Sequence, residues 1–563
     1  MLFNDPKTFR EDMLAGYAAA FPEYLIEVPG GVARATETPK GKVAVMNGGG
    51  SGHYPAFCGI IGEGFMDATV VGNVFTSPST DDVYNVAKSV ENGSGIFIIG
   101  GNYAGDKMNF NLARDRLIEE GIDARTFYIT DDVASAKKDE IEKRRGNVGT
   151  FSVFKVAGAA SAAGKSFDEV EALTIHANDF TRTMSVGFKG CTMPGAKEPL
   201  FHVPEGKMEV GQGIHGEAGV YESELVSAEE IAKLLVERVL DEKPEGAGNR
   251  VGVILDGLGS TKYEELFVVW KTVAALFKEK GYELVKPMVG EFVTSLDMAG
   301  IALAVTFLDE ELEEYWLAPA DTPSFKCGNV QKNAGARRVV TAADAGVKYE
   351  KGSEAAVKAA EIFFEGLEKA KKAVVENEEK LAAIDAIAGD GDHGRGMVKG
   401  LTFAVEAAEE AKKAGAGVGT VVAAAGNAWA SKAGGTSGIL WGEGLKAAGK
   451  VLGDDKEGYP AELIPAAVKA VADRMMELGH AKLGDKTMLD TLIPFIDTLK
   501  AAVDGGKGLY DAWSAAADAA DKAADETRKL TPKIGRARPQ AERSLGNPDA
   551  GAVSMAMCIR AAL

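Results

Sequence analysis

Three aspartates, Asp385, Asp390 and Asp392, are crowded into eight residues of the segment DAIAGDGD. Carboxylate oxygens are the ligands that Mg²⁺ and Ca²⁺ prefer, and the glycines free the backbone to gather the side chains. An EF-hand is excluded, because counting from Asp390 puts Gly394 and Leu401 where that loop needs an oxygen ligand and a glutamate. A solvated acidic loop is the alternative. Three neighbouring carboxylates repel one another, however, so we predict a hard-cation site.

Two glycine-rich segments each contain one histidine. The first, NGGGSGHYP at 47–55, follows the apolar run KVAVM and contains His53. The second, VGQGIHGEAGV at 210–220, contains His215. Glycines let the backbone approach a ligand closely, and an imidazole adds a titratable hydrogen-bonding group. A purely structural turn explains either segment equally well when it is considered alone.

Three further glycine-containing segments interrupt helical patterns and are candidates for phosphate binding. They are GGTSG at 434–438, GHAKLGDKTMLD at 479–490 and RSLGNPDAGA at 543–552. Free N–H groups at helix starts suit an anionic ligand, and the nearby Arg536 and Arg538 suit phosphate oxygens. Ordinary helix ends and caps remain an alternative interpretation of all three.

The elements that must position these residues change in character along the chain. Before residue 330, short β-branched runs alternate with helical stretches, which predicts an α/β region. The candidate strands are 42–46, 95–99, 126–129, 251–255 and 302–307, and the candidate helices are 109–120, 151–163 and 228–240. FIIGGNYAGD and VILDGLGST place glycines and a carboxylate after strands, where open α/β sheets bind ligands.

The rest of the chain is rich in alanine. Residues 331–352 have no clear periodicity and are interpreted as a linker, which gives domains at 1–330 and 353–563. Apolar residues beyond the linker recur at three- and four-residue spacing, which predicts an all-α bundle or barrel of about eight helices. The candidate helices are 354–377, 397–413, 420–432, 462–478, 488–503 and 509–527.

Bulk properties exclude several classes of protein. The chain has 563 residues, a formal net charge of −20 and four cysteines without a CxxC pair. This acidic balance argues against nucleic-acid and membrane partners, and the N-terminus lacks a signal-peptide pattern. No run reaches the ~18 apolar residues of a membrane span. Scattered cysteines are typical of a reducing compartment, so we expect a cytoplasmic protein.

Seven motifs occur in order: NGGGSGH, NYAGDxxNF, GIHGEAG, DGLGST, GDGDHG, GGTSG and GDKTMLD. Together they resemble the dihydroxyacetone kinase family over almost the whole chain. The resemblance implies a ketose-binding K domain with mixed sheets and flanking helices, followed by an ATP-binding helical L domain. A single chain with both domains is similar to the ATP-dependent members, which implies a homodimer.

The resemblance also implies roles for residues of the first region. His215 attacks the substrate ketone and holds it as a covalent hemiaminal, which selects ketoses over polyols such as glycerol. His53 and Asp106 hydrogen-bond the substrate hydroxyl, and Asp106 is the expected general base. Gly50, Ser51 and Gly52 line the same pocket.

In the second region, Asp385, Asp390 and Asp392 match the ligands of two Mg²⁺ ions that bridge the ATP phosphates. Catalysis is then mainly positioning and charge neutralisation for in-line phosphoryl transfer. The expected nucleotide contacts are His393, Gly394, Arg395, Gly396, Thr436, Ser437, Gly479, Met488, Arg536, Asp549, Ala550 and Gly551.

Departures from the family pattern indicate the substrate. Tyr54 stands where a glutamate is usual, and Gly101 stands where a lysine is usual. The segment GHYPAFCG also resembles the erythrulose kinase branch, so a four-carbon ketose is favoured over dihydroxyacetone. An FMN-cyclising lyase and a non-catalytic ketose sensor are the alternatives. His215 with Asp106 disfavours the lyase, and the intact aspartates disfavour the sensor.

Overall fold

The computed structural model describes residues 2–329, 349–535 and 537–563. The chain divides into two compact units, Met1–Thr341 and Ala342–Leu563. The first unit is α/β and the second is helical, which confirms the predicted fold class. Most of the predicted linker, together with Arg536, lies outside the described residues. The predicted domain limits at 330 and 353 therefore stay a prediction.

The first unit contains fifteen strands and eight α-helices in its described part. The strands are β1 (Leu25–Val28), β2 (Gly31–Arg34), β3 (Ala44–Ser51), β4 (Ala68–Val74), β5 (Ile96–Gly101), β6 (Ala124–Ile129), β7 (Thr181–Lys189), β8 (Lys207–Val210), β9 (Tyr221–Glu224), β10 (Arg250–Gly257), β11 (Glu283–Leu284), β12 (Met288–Gly290), β13 (Ala299–Leu308), β14 (Ala320–Asp321) and β15 (Lys326–Cys327). The helices are α1 (Phe9–Ala20), α2 (Thr80–Val90), α3 (Ala104–Glu119), α4 (Thr150–Ala162), α5 (Phe167–Asp179), α6 (Ala228–Leu240), α7 (Tyr263–Glu279) and α8 (Glu310–Leu317). Short 3₁₀ helices lie at Cys58–Ile60 and Lys138–Lys143.

The first sheet has the strand order β1-β2-β4-β3-β5-β6. β4, β3, β5 and β6 run parallel, whereas β1 and β2 pair antiparallel at one edge. Alternate residues of each central strand point to opposite faces. Ala44 and Met46 therefore join the core beside α2 and α3, while Val43 and Val45 join the core that contains α4.

The second sheet has the order β11-β10-β13-β7-β8-β9, and β12 also pairs with β10. Val253 of β10 faces the core under α6 and α7, whereas Ile254 faces the core shared with α4. The described residues of α4 from Thr150 to Ser161 are all buried. Because α4 shares one core cluster with residues of both sheets, it joins the sheets into one unit.

The glycine-rich segment differs from its prediction. A strand was expected to end at Met46, but β3 continues through Asn47, Gly48, Gly49 and Gly50 to Ser51, entirely buried. A Cβ at Gly50 would lie 2.5 Å from the backbone nitrogen of Thr76, so a close approach between chain segments requires glycine there. The glycines therefore form a buried stretch of strand without side chains, rather than a turn.

The second unit contains ten α-helices in its described part, two of them short. They are α9 (Glu354–Glu376), α10 (Glu378–Asp385), α11 (His393–Lys413), α12 (Val418–Ala433), α13 (Gly435–Leu452), α14 (Leu463–Gly479), α15 (Leu489–Asp504), α16 (Leu509–Glu526), α17 (Ala541–Ser544) and α18 (Ala550–Ala561), with 3₁₀ turns at Thr527–Lys529 and Arg538–Gln540. Among the described residues, no helix has the length and apolarity needed to span a membrane.

Small residues let α12 and α13 pack backbone against backbone. A Cβ at Gly426 would lie 2.5 Å from the Gly442 carbonyl oxygen, and one at Gly449 would lie 2.5 Å from the Gly419 carbonyl oxygen. Beside this crossing, the rings of Trp429 and Trp441 stack in parallel with centroids 4.8 Å apart. The alanine- and glycine-rich composition is thus what permits this close packing.

Candidate active site

Two histidines that are far apart in the sequence meet in the α/β unit. His53 follows the end of β3 and is buried, and its Nδ1 lies 2.7 Å from the carbonyl oxygen of Thr294. The His53 ring meets the His215 ring edge to face, with centroids 4.6 Å apart. The structure therefore brings together two of the three residues predicted to be catalytic.

Aromatic rings enclose this histidine pair. Phe75 stacks on His53 with centroids 5.1 Å apart and also contacts the edge of His215. Tyr103 meets His215 at 4.7 Å, and its hydroxyl donates to the Gly146 carbonyl at 2.7 Å. Burial, the largest cause, raises the pKa of Tyr103 well above its usual value, so this hydroxyl is a neutral donor. Sequence reasoning did not single out Phe75 or Tyr103, although Tyr103 lies inside the motif NYAGD.

Glu217 fixes the orientation of His215. One Glu217 carboxylate oxygen lies 3.1 Å from His215 Nδ1, and the other accepts the His215 backbone N–H at 2.9 Å. Because a carboxylate is an acceptor, it holds Nδ1 as the N–H donor and leaves Nε2 as the reactive ring nitrogen. Glu217 was not predicted from the sequence, although the motif GIHGEAG contains it.

The charge of Glu217 is stabilised within the protein. Burial raises its pKa, but His215 and Arg145 outweigh burial and hold the pKa of Glu217 well below its usual value. Arg145 lies 4.0 Å from Glu217 and 2.9 Å from the buried carboxylate of Asp132. An ionised glutamate therefore faces His215 across the neutral pH range.

Asp106 lies in the first turn of α3, three residues after Tyr103, and is only 6% exposed. The N-terminus of a helix favours a carboxylate, because its free N–H groups carry partial positive charge. Gly52 has φ +108°, and a Cβ there would lie 2.8 Å from the Phe75 ring. Gly50, Ser51 and Gly52 therefore bring the end of β3 against the ring that contacts both histidines.

The two departures from the family pattern have different surroundings. The Tyr54 hydroxyl lies 2.6 Å from the Ser324 hydroxyl, its ring contacts Tyr17, and 45% of its surface is exposed. A Cβ at Gly101 would lie 2.7 Å from the Tyr103 ring. A larger residue at position 101 would therefore displace Tyr103 from the wall around His215.

In the helical unit, the three predicted metal ligands converge. Oxygen atoms of Asp385, Asp390 and Asp392 lie within 4.8 Å of one another, and all three residues are partly exposed. Asp385 ends α10, where its carboxylate also accepts the His393 N–H at 3.3 Å. Three hard oxygen donors at this separation fit Mg²⁺.

Several predicted nucleotide residues lie where α11, α15 and α18 begin. His393 starts α11, and its Nε2 lies 2.8 Å from the Ser554 hydroxyl of α18. Asp549 caps α18 by accepting the Ala552 N–H at 2.8 Å. A Cβ at Gly551 would lie 3.7 Å from Met488, the residue before α15. The starts of three helices thus lie close together, an arrangement that suits phosphate.

The remaining predicted nucleotide residues lie at other helix ends. Arg395 and Gly396 are in the first turn of α11, and Ala550 is the first residue of α18. Thr436 and Ser437 are in the first turn of α13, and Gly479 ends α14. A Cβ at Gly479 would lie 3.5 Å from Leu440, so the end of α14 lies beside the first turns of α13. The nucleotide role of these residues stays a prediction, and Arg536 lies outside the described residues.

The segment GDKTMLD is held by internal hydrogen bonds. The Asp490 carboxylate accepts the N–H groups of Gly484 and Thr487 at 2.5 and 2.7 Å. The Lys486 ammonium donates to the carbonyls of Ser544 and Asn547 at 2.7 and 2.9 Å. Asp490 thus holds the loop that precedes α15, the Thr487 hydroxyl accepts the Leu489 N–H at 3.2 Å, and Lys486 ties this segment to the turn before α18.

Comparison with known proteins agrees with this architecture. The Dak1 domain model matches residues 15–324, and the DAK2 domain model matches residues 387–563. The chain is 53% identical to a D-erythrulose kinase of Mycolicibacterium smegmatis, across 99% of this chain and 97% of the relative. It is 46% identical to an L-erythrulose kinase of Pectobacterium atrosepticum, across 100% and 95%.

A solved structure is also similar. The dihydroxyacetone kinase from C. freundii in complex with AMP-PNP and Mg²⁺ has a TM-score of 0.54 and 29% identity, covering 100% of this chain and 98% of that one. Both domain models match the chain, and the relatives extend over its full length, so the predicted resemblance is confirmed. The chain belongs to the dihydroxyacetone kinase family, with a Dak1 domain followed by a DAK2 domain.

Proposed function

We propose that this protein is an ATP-dependent kinase that phosphorylates a primary hydroxyl of a small ketose, with erythrulose favoured over dihydroxyacetone. The observation that carries the proposal is the orientation of His215, held by Glu217 beside His53. Full-length similarity to two erythrulose kinases supports the ketose. The solved relative with AMP-PNP and Mg²⁺ supports ATP as the phosphoryl donor.

The proposed first step is capture of the ketone by His215. Glu217 accepts the Nδ1 hydrogen bond, so the Nε2 lone pair is available to attack the carbonyl carbon. The Nε2–C bond forms as the carbonyl π bond breaks, the oxygen takes up a proton from solvent, and Nδ1 releases one proton to solvent, which leaves a neutral hemiaminal. A polyol such as glycerol has no carbonyl group to react, so it is discriminated against.

The neighbouring residues have proposed roles in orienting the sugar. His53 Nδ1 donates to the Thr294 carbonyl, so its Nε2 accepts a hydrogen bond from a hydroxyl of the captured ketose, and Asp106 accepts the proton of the primary hydroxyl as general base. Asp106 is supported in this role by its burial and by its position one helical turn from Tyr103, which contacts His215. Gly50, Ser51 and Gly52 form the pocket wall at the end of β3. The surrounding aromatic rings exclude water, which strengthens each of these polar contacts.

Asp385, Asp390 and Asp392 are the proposed holders of magnesium, with two ions as the resemblance implies. Bound Mg·ATP supplies the phosphoryl group and neutralises charge on its oxygens. The chain would position the nucleotide: the backbone N–H groups at the starts of α11 and α18 would bind phosphate oxygens, and His393, Asp549 and Met488 would shape the nucleotide site. The resemblance implies in-line transfer of the phosphoryl group to the ketose hydroxyl.

We propose that the active protein is a homodimer, as its resemblance to single-chain ATP-dependent kinases implies. Light scattering of the purified chain during gel filtration measures its mass. A dimer mass at assay concentrations supports the proposal, and a monomer mass with full activity would contradict it.

The function is tested with purified full-length chain, Mg·ATP and separate D-erythrulose, L-erythrulose, dihydroxyacetone and glycerol. ADP release is followed, and the phosphorylated product is identified by mass spectrometry. We expect ketose-dependent ADP with at least one erythrulose at a higher kcat/KM than with dihydroxyacetone, and none with glycerol. A preference for dihydroxyacetone would overturn the four-carbon assignment. Absence of ketose-dependent ADP with every sugar would overturn the kinase.

A further inference from the structure

A lysine and a cysteine of the α/β unit are in unusually close contact. Lys286 Nζ lies 2.6 Å from Cys327 Sγ. Ordinary N–H···O hydrogen bonds span about 2.7–3.2 Å, and sulfur is larger than oxygen. The amine and the thiol are therefore in direct contact, closer than an ordinary hydrogen bond to sulfur would hold them.

Cys327 is buried beside two lysine side chains. Cys327 lies in β15, is 3% exposed, and its thiol donates to the Leu317 carbonyl at 3.7 Å. The amine of a second lysine, Lys155, is buried and donates to the Tyr315 carbonyl at 2.7 Å. Burial lowers the pKa of Lys155 to about 8, and Cys327 acts in the opposite direction.

The other three cysteines provide an internal comparison. Cys58, Cys191 and Cys558 are buried, and burial raises the pKa of each thiol to about 12. Thiols with raised pKa values are poorly oxidised, because the thiolate is the form that reacts. Cys327 is thus distinguished from them by its two lysine neighbours.

The backbone directs Lys286 towards Cys327. Lys286 adopts φ +46°, which is uncommon for a residue with a side chain. The preceding residue, Val285, accepts the Trp316 indole N–H at 2.8 Å, which fixes this segment against α8. Lys286 itself is exposed, so the pair lies next to the protein surface.

We propose that Lys286 and Cys327 are an oxidative modification site at which a peroxide closes a covalent S–N crosslink. The thiolate attacks the peroxide and, with one proton, gives a sulfenic acid and water. The Lys286 ammonium then releases a proton to the medium and its amine attacks this sulfur; an S–N bond forms, the S–O bond breaks, and the sulfenic hydroxyl leaves as a second water with one proton from the amine. Sulfur loses two electrons overall, one peroxide is reduced, and the protein loses two hydrogens. Added thiol reverses the reaction.

The crosslink would join two short elements at the end of the α/β unit. Lys286 lies between β11 and β12, whereas Cys327 lies in β15. A covalent bond between them closes a loop of the unfolded chain and therefore favours the folded state. We thus expect oxidation to raise the unfolding temperature of this unit, and reduction to restore the original value.

The experiment treats reduced full-length chain with hydrogen peroxide and maps its tryptic peptides by mass spectrometry. We expect a linked pair of peptides containing Lys286 and Cys327, two hydrogens lighter than their sum, which disappears after dithiothreitol. Cys58, Cys191 and Cys558 should remain unmodified under the same conditions. A linked pair that retains an oxygen would overturn the S–N bond. Unlinked sulfinic acid at Cys327, or an unmodified Cys327, would overturn the crosslink.

Two variants complete the test. Lys286→Arg keeps the positive charge on an exposed residue but removes the amine, so the crosslink and the oxidative rise in unfolding temperature should both be lost. Cys327→Ser removes the sulfur, and its circular dichroism spectrum shows whether it folds. A rise in unfolding temperature that persists in Lys286→Arg would show that another oxidation is responsible.

Discussion

Glu217 determines which ring nitrogen of His215 is available to the proposed ketose substrate. Replacing it by glutamine keeps its size, but the amide can donate to Nδ1 and stabilise the wrong tautomer. For Glu217→Gln we expect kcat/KM for erythrulose to fall on the order of 100-fold, as expected for a misplaced reacting group. Steady-state ADP release measures the change, with the exposed Glu222→Gln of β9 as control. Equal kcat/KM in both variants would contradict the positioning role.

The half-buried Asp549 links the stability of the helical unit to pH. Burial raises its pKa to about 6, above the ordinary value of about 3.9. The fold therefore favours the protonated carboxyl, and its contribution to stability is lost as pH rises through about 6.

Asp549→Asn removes this loss, because an asparagine caps α18 without ionising. We expect the variant to gain about 1–2 kcal/mol over the parent between pH 5 and pH 8. Calorimetric unfolding in metal-free buffer measures the difference, with the exposed Asp511→Asn of α16 as control. A difference that does not grow with pH would show that ionisation of Asp549 is not its cause.

At the residue scale, the sequence identified the residues that could do chemistry better than the residues that hold them in place. His53, His215 and the three aspartates stand beside glycines, so their local spacing marks them. Phe75 and Thr294 carry no such mark, because they reach His53 from other elements of the fold. The roles of all these residues in substrate or nucleotide binding stay a prediction.

At the scale of elements, the end of β3 packs closely against the segment of Phe75 and Thr76 because its glycines lack side chains. In Gly50→Ala the new methyl group would meet the backbone at Thr76 and Phe75, at 2.5 and 2.7 Å. We expect a loss of about 1–3 kcal/mol from overpacking, together with weaker ketose binding. Calorimetry and ketose titration measure the two effects. Gly16→Ala in α1, with nothing within 4 Å of its new methyl group, is the control that should retain both properties.

Gly400 in α11 likewise leaves room for a closely packed neighbour, the side chain of Trp429. A methyl group there would lie 2.1 Å from Nε1 of Trp429, which is held in place by stacking on Trp441. We expect Gly400→Ala to destabilise the helical unit by about 1–3 kcal/mol. Gly366→Ala in α9, with ordinary contacts of 3.6 Å or more, should instead gain up to about 1 kcal/mol of helix propensity. Similar unfolding temperatures for the two variants would contradict this packing account.

Helices were more predictable than strands for a physical reason. The prediction of 228–240 matches α6, whose apolar face repeats along thirteen residues. β4 and β7 were missed, although both are long and buried, because a buried strand has no polar alternation to mark it. β3 was cut short because glycine usually signals a turn, whereas here tertiary packing requires it.

At the scale of the whole molecule, the proposed ketose site and the proposed magnesium site lie in different units of the chain. Asp390→Ala removes one proposed metal ligand from the helical unit and leaves the residues around His215 unchanged. We expect phosphoryl transfer to fall by at least about 1000-fold while erythrulose binding is retained, because charge neutralisation acts on the transferred group. ADP release and ketose titration by calorimetry measure the two properties. Loss of both together would indicate a folding role for Asp390, and the exposed Asp455→Ala is the control.

Family and fold class followed from the order of seven motifs, and both are confirmed. No local pattern specifies the association of subunits, because that depends on surfaces assembled from distant segments. The homodimer therefore stays a proposal. The exact domain limits also stay a prediction, since residues 330–348 lie outside the described part of the chain.

The parallel stack of Trp429 and Trp441 has a spectroscopic consequence. Among the described residues it is the one parallel pair of indoles, and it lies in the helical unit. Two indoles this close couple their electronic transitions, which produces a paired band in the circular dichroism spectrum. That band reports the unfolding of the helical unit without any added dye. Denaturation of this unit can therefore be distinguished from denaturation of the α/β unit.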